Sequence, residues 1–199
     1  MSTTLRFRIT FTEEVLGTQP GDPEIYRKFV GSKAPDAPTM EEEVAALGVD
    51  SVIENGITVF PRDENGNLML WEHQIKGFFK DTCSALARCP EFKSSKLKAF
   101  KKIIDGCIFL DNRRIPLQNY GEITLFQRPL RGQTAQGERI SLACSERIEA
   151  GATAEFSVIC LNDDYAPLVR EWMDYGKYRG LLQWRNSGCG RFTYEEIAA

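Results

Sequence analysis

A single histidine among 199 residues leaves little room for imidazole chemistry. Any Ser-His-Asp triad or histidine-bearing metal set would have to be built around His73. The six cysteines include no C-x-x-C pair, so neither a metal site nor a cofactor is expected. No apolar run approaches the roughly 20 residues that cross a bilayer. The opening MSTTLRFRITF also lacks the charged, apolar and small-residue blocks of a signal peptide, so a cytoplasmic protein with no membrane contact is expected. Positive charge is not in excess either. With 25 basic against 28 acidic residues the net charge is −3, which disfavours a protein that coats long nucleic acid through many phosphate contacts. Repeats, low-complexity tracts and linker-like stretches are absent, and residues 1–199 read as a single domain.

What is present is a sufficient core-forming fraction, 42% apolar residues, with clear periodicities. Leu5, Phe7, Ile9 and Phe11 alternate with polar residues and predict a half-buried, centrally paired first strand. Asp22-Pro23 and Thr39 with Glu42 predict two short helices ending near Gly31 and Gly48. Asn55-Gly56 and Asn65-Gly66 are hairpin signals, the second lying between Thr58–Phe60 and Leu68–Leu70. Ile75, Phe78, Phe79, Thr82 and Leu86 make one stripe of a helix from Gln74 to about Ala87. A further helix is predicted from Ser95 to Ile104, burying Leu97, Phe100 and Ile104. Strand-like runs follow at 107–110, 122–126, 139–144 and 154–160, the last placing Cys160 inward as a buried thiol. A final helix from Tyr165 to Tyr175 buries Leu168, Val169, Trp172 and Met173, with Asp163 and Asp164 suited to its N-terminal dipole. The fold class expected is α+β.

Charge is uneven along the chain. Lys93 to Lys102 holds five lysines, and Arg113 to Arg147 holds six arginines with few acids. The most unusual segment is RGLLQWRNSGCGRF, from Arg179 to Phe192. Gly188 and Gly190, with Ser187 beside them, allow backbone N–H groups to face a phosphate; Arg179, Arg185 and Arg191 supply charge and Trp184 a stacking face. The same residues equally describe a tight turn into a strand with Trp184 in the core. Cys189, between the glycines, is the cysteine to watch for reactivity.

Three segments, in order, carry a family resemblance. QIKGFFKDTCSAL is similar to the "S-x-K-G-x-x-R" helix start of the RAMP superfamily, the RNA-binding backbone and processing subunits of CRISPR effector complexes. Lys76-Gly77 matches its lysine-glycine and Lys80 stands at its arginine position. Residues 138–161 resemble the family's return strand, and GLLQWRNSGCGRF its C-terminal glycine-rich loop. Ile75 and Asn186-Ser187 depart from the usual residues. The chain also resembles stand-alone phage and mobile-element proteins. The resemblance implies a ferredoxin-like (RRM-like) RAMP core with inserted β-hairpins and helices, in which the helix at Lys76 meets the loop at Gly188–Arg191. It further implies a projecting thumb hairpin at about 127–139. There Arg128, Arg131, Gln133 and Arg139 suit phosphate and base-edge contacts, the alternative being a solvated loop.

The function expected is therefore non-enzymatic binding of RNA or a small, even cyclic, nucleotide. A phage-encoded protein of this kind would act against host defence by mimicking a CRISPR subunit or by sequestering a nucleotide signal. Two other readings stand beside it: a metal-independent RNA endonuclease using His73, Lys76 and Tyr178, and an interaction module that binds host defence proteins. Oligomerisation is compatible with each.

Overall fold

The computed structural model describes residues 2–21, 57–134 and 137–198, without the side chains of 130–142. The two short helices expected within 22–48 and the turn at Asn55-Gly56 lie outside the described residues, as do the side chains of Arg131, Gln133 and Arg139. The chain divides into two compact units. The first comprises Met1–Val15, Pro61–Glu122 and Ile148–Ala199; the second comprises Leu16–Phe60 and Ile123–Arg147. Each unit is assembled from discontinuous stretches, so no linker composition marks the border.

In the first unit the leading strand β1 (Thr3–Phe11) buries Leu5, Phe7, Ile9 and Phe11, following its alternation. β2 (Val15–Leu16) begins on the last residue of the first unit's opening stretch, and the short strands β3 (Gln19–Pro20) and β4 (Ile57–Val59) belong to the second unit. β5 (Met69–Trp71) leads directly into α1 (Glu72–Leu86), whose Gln74 carboxamide accepts the Trp71 N–H at 2.8 Å and so caps the helix start. The predicted stripe of α1 is buried, with Cys83 added to it. α2 (Phe100–Cys107) runs into β6 (Ile108–Leu110), followed by β7 (Arg114–Gln118). β8 (Thr124–Thr134) and β9 (Gly137–Ile148) form the second unit's long hairpin, paired from Thr124↔Arg147 to Thr134↔Gly137. β10 (Thr153–Cys160), α3 (Ala166–Asp174) and β11 (Phe192–Glu196) complete the first unit.

The strand order β11-β1-β10, with β6 and β7 both on the far side of β10, is antiparallel throughout. Two β-α-β units, β1-α1-β6 and β10-α3-β11, interleave to make it. This is the ferredoxin-like order, and the fold is α+β with an inserted hairpin. The helices cover one face: Phe79 meets Trp172 at 5.4 Å between ring centroids, and Phe78 meets Phe192 at 5.2 Å. Gly176 lies so close to Phe192 that a Cβ would stand 2.4 Å from the ring, so the absence of a side chain there lets the ring pack against the backbone. Cys160 is buried, and burial pushes its thiol up to about 11. All six cysteines are free.

Three expectations need correction. The hairpin at Asn65-Gly66 closes only through the single bridge Arg62↔Leu68, because Ile57–Val59 pairs with β3 and β9 while Met69–Trp71 pairs with β7. The turn itself stands: Gly66 has φ +83° and the Asp63 carboxylate accepts the Asn65 and Asn67 N–H groups. Second, the helix expected from Ser95 begins at Phe100. Lys93–Lys96 forms a 3-10 turn held from outside, since the Glu171 carboxylate accepts the N–H groups of Lys93 and Ser94, and Ala99 is left-handed at φ 52°. Of Leu97, Phe100 and Ile104 only Ile104 is fully buried. Third, β7 was not expected, because Pro116 interrupts its alternation. The proline is accommodated because β7 pairs with β10 only through Leu117 and Gln118.

Candidate nucleic-acid interface

The Arg179–Phe192 segment is shaped by close backbone contact. A Cβ on Gly180 would stand 2.1 Å from the Gly190 carbonyl carbon, and one on Gly190 would stand 2.1 Å from the Leu181 oxygen. Leu181 donates to the Gly190 oxygen at 2.9 Å, and Gly190 donates to the Glu14 oxygen at 2.7 Å. Trp184 takes a left-handed φ of 56° and is half-buried, lying neither in the core nor in open solvent. The N–H groups of Ser187 and Cys189 donate to the Trp184 oxygen, and that of Gly188 to Arg185. From Ser187 to Gly190 every amide is therefore committed inside the chain, and an anion at this loop meets side chains, not a backbone cradle. Cys189 is buried, with its Sγ 3.6 Å from Glu14 Oε1.

The arginine half of the segment converges on one carboxylate. Asp81 of α1 receives both Nε and one terminal nitrogen of Arg179, and Arg185 reaches the same carboxylate at 3.1 Å. Arg179 also donates to Asn186 Oδ1 at 3.0 Å. All three partners are about one-third exposed, so two guanidinium groups face solvent around a single negative charge. Lys80, one residue earlier, pairs with Asp105 of α2 at 2.6 Å, and Lys76 sits 4.8 Å over the Phe109 ring. Both lysines lie on the same helix as Asp81 but hold other partners.

Arg191 sits apart, lining a small cavity of about 290 Å3 with Glu13, Glu14, Glu149, Ser187 and Gly188. Its Nε is buried without a hydrogen-bond partner among the described residues. Three carboxylates around one guanidinium make that cavity poorly suited to a phosphate. Arg128 is exposed on β8 of the second unit. His73, in the first turn of α1, is exposed and stacks on Trp71, whereas Tyr178 lines a recess with Ala85 and Leu86 at the helix's last turn. The span from position 73 to 85 is about 18 Å along the axis, so the structure does not bring His73 and Tyr178 together. Among the described residues no cluster of His, Cys, Asp and Glu is arranged to hold a metal, and no helix is long and apolar enough to cross a membrane.

The open sheet face is polar at its centre. β1 exposes Thr4, Arg6 and Arg8, and β10 presents half-buried Glu155 and Ser157 beside them, without the aromatic platform by which RRM sheets stack bases. Arg8 and Arg6 instead grip Glu155, the Arg8 hydrogen bond holding its carboxyl below the ordinary range. Asp81 is the residue that sequence reasoning missed. Its only signal was an acid directly after Lys80, and it contacts arginines 98 and 104 positions away.

Among solved structures, the chain matches one from the cryo-EM structure of the Type III-B Cmr-beta bound to cognate target RNA. The TM-score is 0.54 at 12% identity, over 99% of this chain and 60% of that one. This chain spans 60% of its neighbour's length, so the likeness concerns architecture. No protein-family profile matches the chain, and neither does any curated protein.

Proposed function

We propose that the chain is a non-enzymatic RNA-binding protein that seats RNA phosphates on Arg179 and Arg185, with Trp184 beside them. The observation that carries this reading is the convergence of both guanidinium groups on Asp81, with all three side chains about one-third exposed. A carboxylate holding two arginines fixes their forks in advance, leaving outward N–H donors for phosphate oxygens. The structural neighbour was solved bound to target RNA, which agrees with this ligand class and with assembly in a larger complex. Binding without cleavage is supported by the separation of His73 from Tyr178.

At the glycine loop RNA is favoured over a captured small signal because the cavity there is lined by three glutamates. The finer proposal is that a phage-borne chain of this kind acts against host defence by standing in for a CRISPR subunit. The test is a salt titration of single-stranded RNA binding by wild type and an Arg179→Ala, Arg185→Ala double variant. Losing two phosphate contacts should lower the slope of log K against log salt by about 1.4 and weaken binding throughout. An unchanged slope and affinity would refute the assignment.

A further inference from the structure

A second recess lies between the last turn of α1 and the end of α3. It encloses about 910 Å3, within the range of small-molecule sites, and its walls include Leu86, Phe92, Tyr175 and Tyr178. Tyr178 is 62% exposed, unusually open for a large ring. Its ring centroid lies 6.0 Å from that of Tyr175, and Lys177 Nζ sits 5.0 Å from it.

The charges lining the recess are not equally available. Arg170 is held by both oxygens of Glu196 at 2.7 and 2.8 Å. Glu171 accepts from the Lys93 and Ser94 N–H groups and the Ser94 hydroxyl, and Asp174 accepts from the Tyr194 hydroxyl. The ammonium groups of Lys93 and Lys177 remain; both residues are exposed, and neither makes an ion pair among the described residues. The recess therefore offers an exposed aromatic ring with the Lys177 ammonium already over one face, a second cation in Lys93, and carboxylates already occupied by donors. That combination suits a flat ring carrying negative charge.

We infer that this recess is a nucleotide subsite, in which a base stacks on Tyr178 and its phosphate meets Lys93 and Lys177. The occupant is either a free nucleotide or one residue of a bound RNA strand. Position favours the strand: Asp81 and Ala85 stand four residues apart on α1, about 6 Å along its axis, so the arginine pair and the recess adjoin on one stripe. RNA leaving Arg179 and Arg185 passes directly onto Tyr178. The continuous path rests on the RNA-binding reading above, whereas the subsite stands without it.

The experiment titrates the full chain with uridine monophosphate and with a labelled oligouridylate, comparing wild type, Tyr178→Ala, Tyr178→Phe and Lys93→Ala, Lys177→Ala. Because Tyr178 is exposed, its substitution should leave the thermal transition unchanged. Tyr178→Ala should weaken the oligonucleotide about tenfold, with Tyr178→Phe restoring most of the affinity because it keeps the ring. Loss of the mononucleotide as well identifies a site for free nucleotides; loss of the oligonucleotide alone identifies a station on a strand. Oligonucleotide binding that survives Tyr178→Ala and the lysine pair but vanishes in Arg179→Ala, Arg185→Ala overturns the subsite and keeps the arginine reading. The reverse pattern overturns the arginine reading and keeps the subsite, and a wild-type chain that binds neither probe overturns both.

Discussion

Two basic segments look alike in the sequence and differ in space. Lys93–Lys102 carries five lysines and Arg179–Arg191 three arginines. All five lysines are exposed and, among the described residues, none makes an ion pair; Lys93 lines the recess beside Tyr178. Arg179 and Arg185 instead meet on Asp81. The difference lies in scaffolding, not in charge. The lysine segment is anchored through its backbone and Ser94, which leaves the ammonium groups to diverge. The arginine segment is anchored by paired glycine contacts and by a carboxylate that gathers side chains to one point. Dispersed charge raises long-range attraction weakly at physiological salt, whereas gathered charge makes a directional phosphate seat.

The largest effect expected is on the arginine scaffold. Gly190 has φ +70°, and an added Cβ would meet the Leu181 oxygen at 2.1 Å, so Gly190→Ala incurs both left-handed strain and a backbone clash. A loss of about 3 kcal/mol or more in urea unfolding is expected. Gly188 has φ +96°, but its nearest obstacle is the Arg191 side chain at 3.4 Å, so Gly188→Ala should cost about 1 kcal/mol. Equal costs at the two positions would mean that the close crossing does not hold this segment.

The lysine scaffold should break less severely. Ser94 is fully buried, its Oγ bonded to Glu171 and accepting the Trp172 indole N–H at 2.9 Å. Ser94→Ala orphans that donor inside the core and should cost about 2 kcal/mol by thermal or urea unfolding. Any weakening of RNA binding should stay well below that of the arginine double variant. If Ser94→Ala abolished RNA binding in protein shown to be folded, the lysines would be the true seat and the contrast would fail.

This contrast also marks what could be read from the chain in advance. β1, α1 and α3 announce themselves because burial on one face imposes a period of two or of 3.6, visible over a few residues. The start of α2 was hidden because Glu171, 77 positions from Ser94, captures the amides that a helix beginning at Ser95 would organise differently. β7 was hidden because a proline is compatible with its particular register alone. At the candidate site the arginines were legible as residue types, yet their convergence was not. Neither the partnership with Asp81 nor the glycine crossing follows any local pattern, and the latter turned a supposed phosphate cradle into backbone packing.

A third arginine sharpens the comparison by the smallest effect. Arg170 grips Glu196 with two hydrogen bonds, as firmly in geometry as Arg179 grips Asp81, but it is a single cation, and the two partners are 41% and 38% exposed. The hydrogen bond from Arg170 holds the Glu196 carboxyl below its ordinary value. A folded-state value depressed in this way contributes stability that is present above the unfolded-state value and is lost as the pH falls through the folded one. Solvent screening limits that contribution to a few tenths of a kcal/mol. Urea unfolding from neutral pH down through the carboxylate range should therefore show Glu196→Gln losing slightly less stability than wild type, with no change in the salt dependence of RNA binding. A change in that salt dependence would mean that pairing an arginine is enough to make it part of the seat; its absence would leave gathering, two cations on one carboxylate, as the property that separates Asp81, and Glu155 with Arg6 and Arg8, from Glu196.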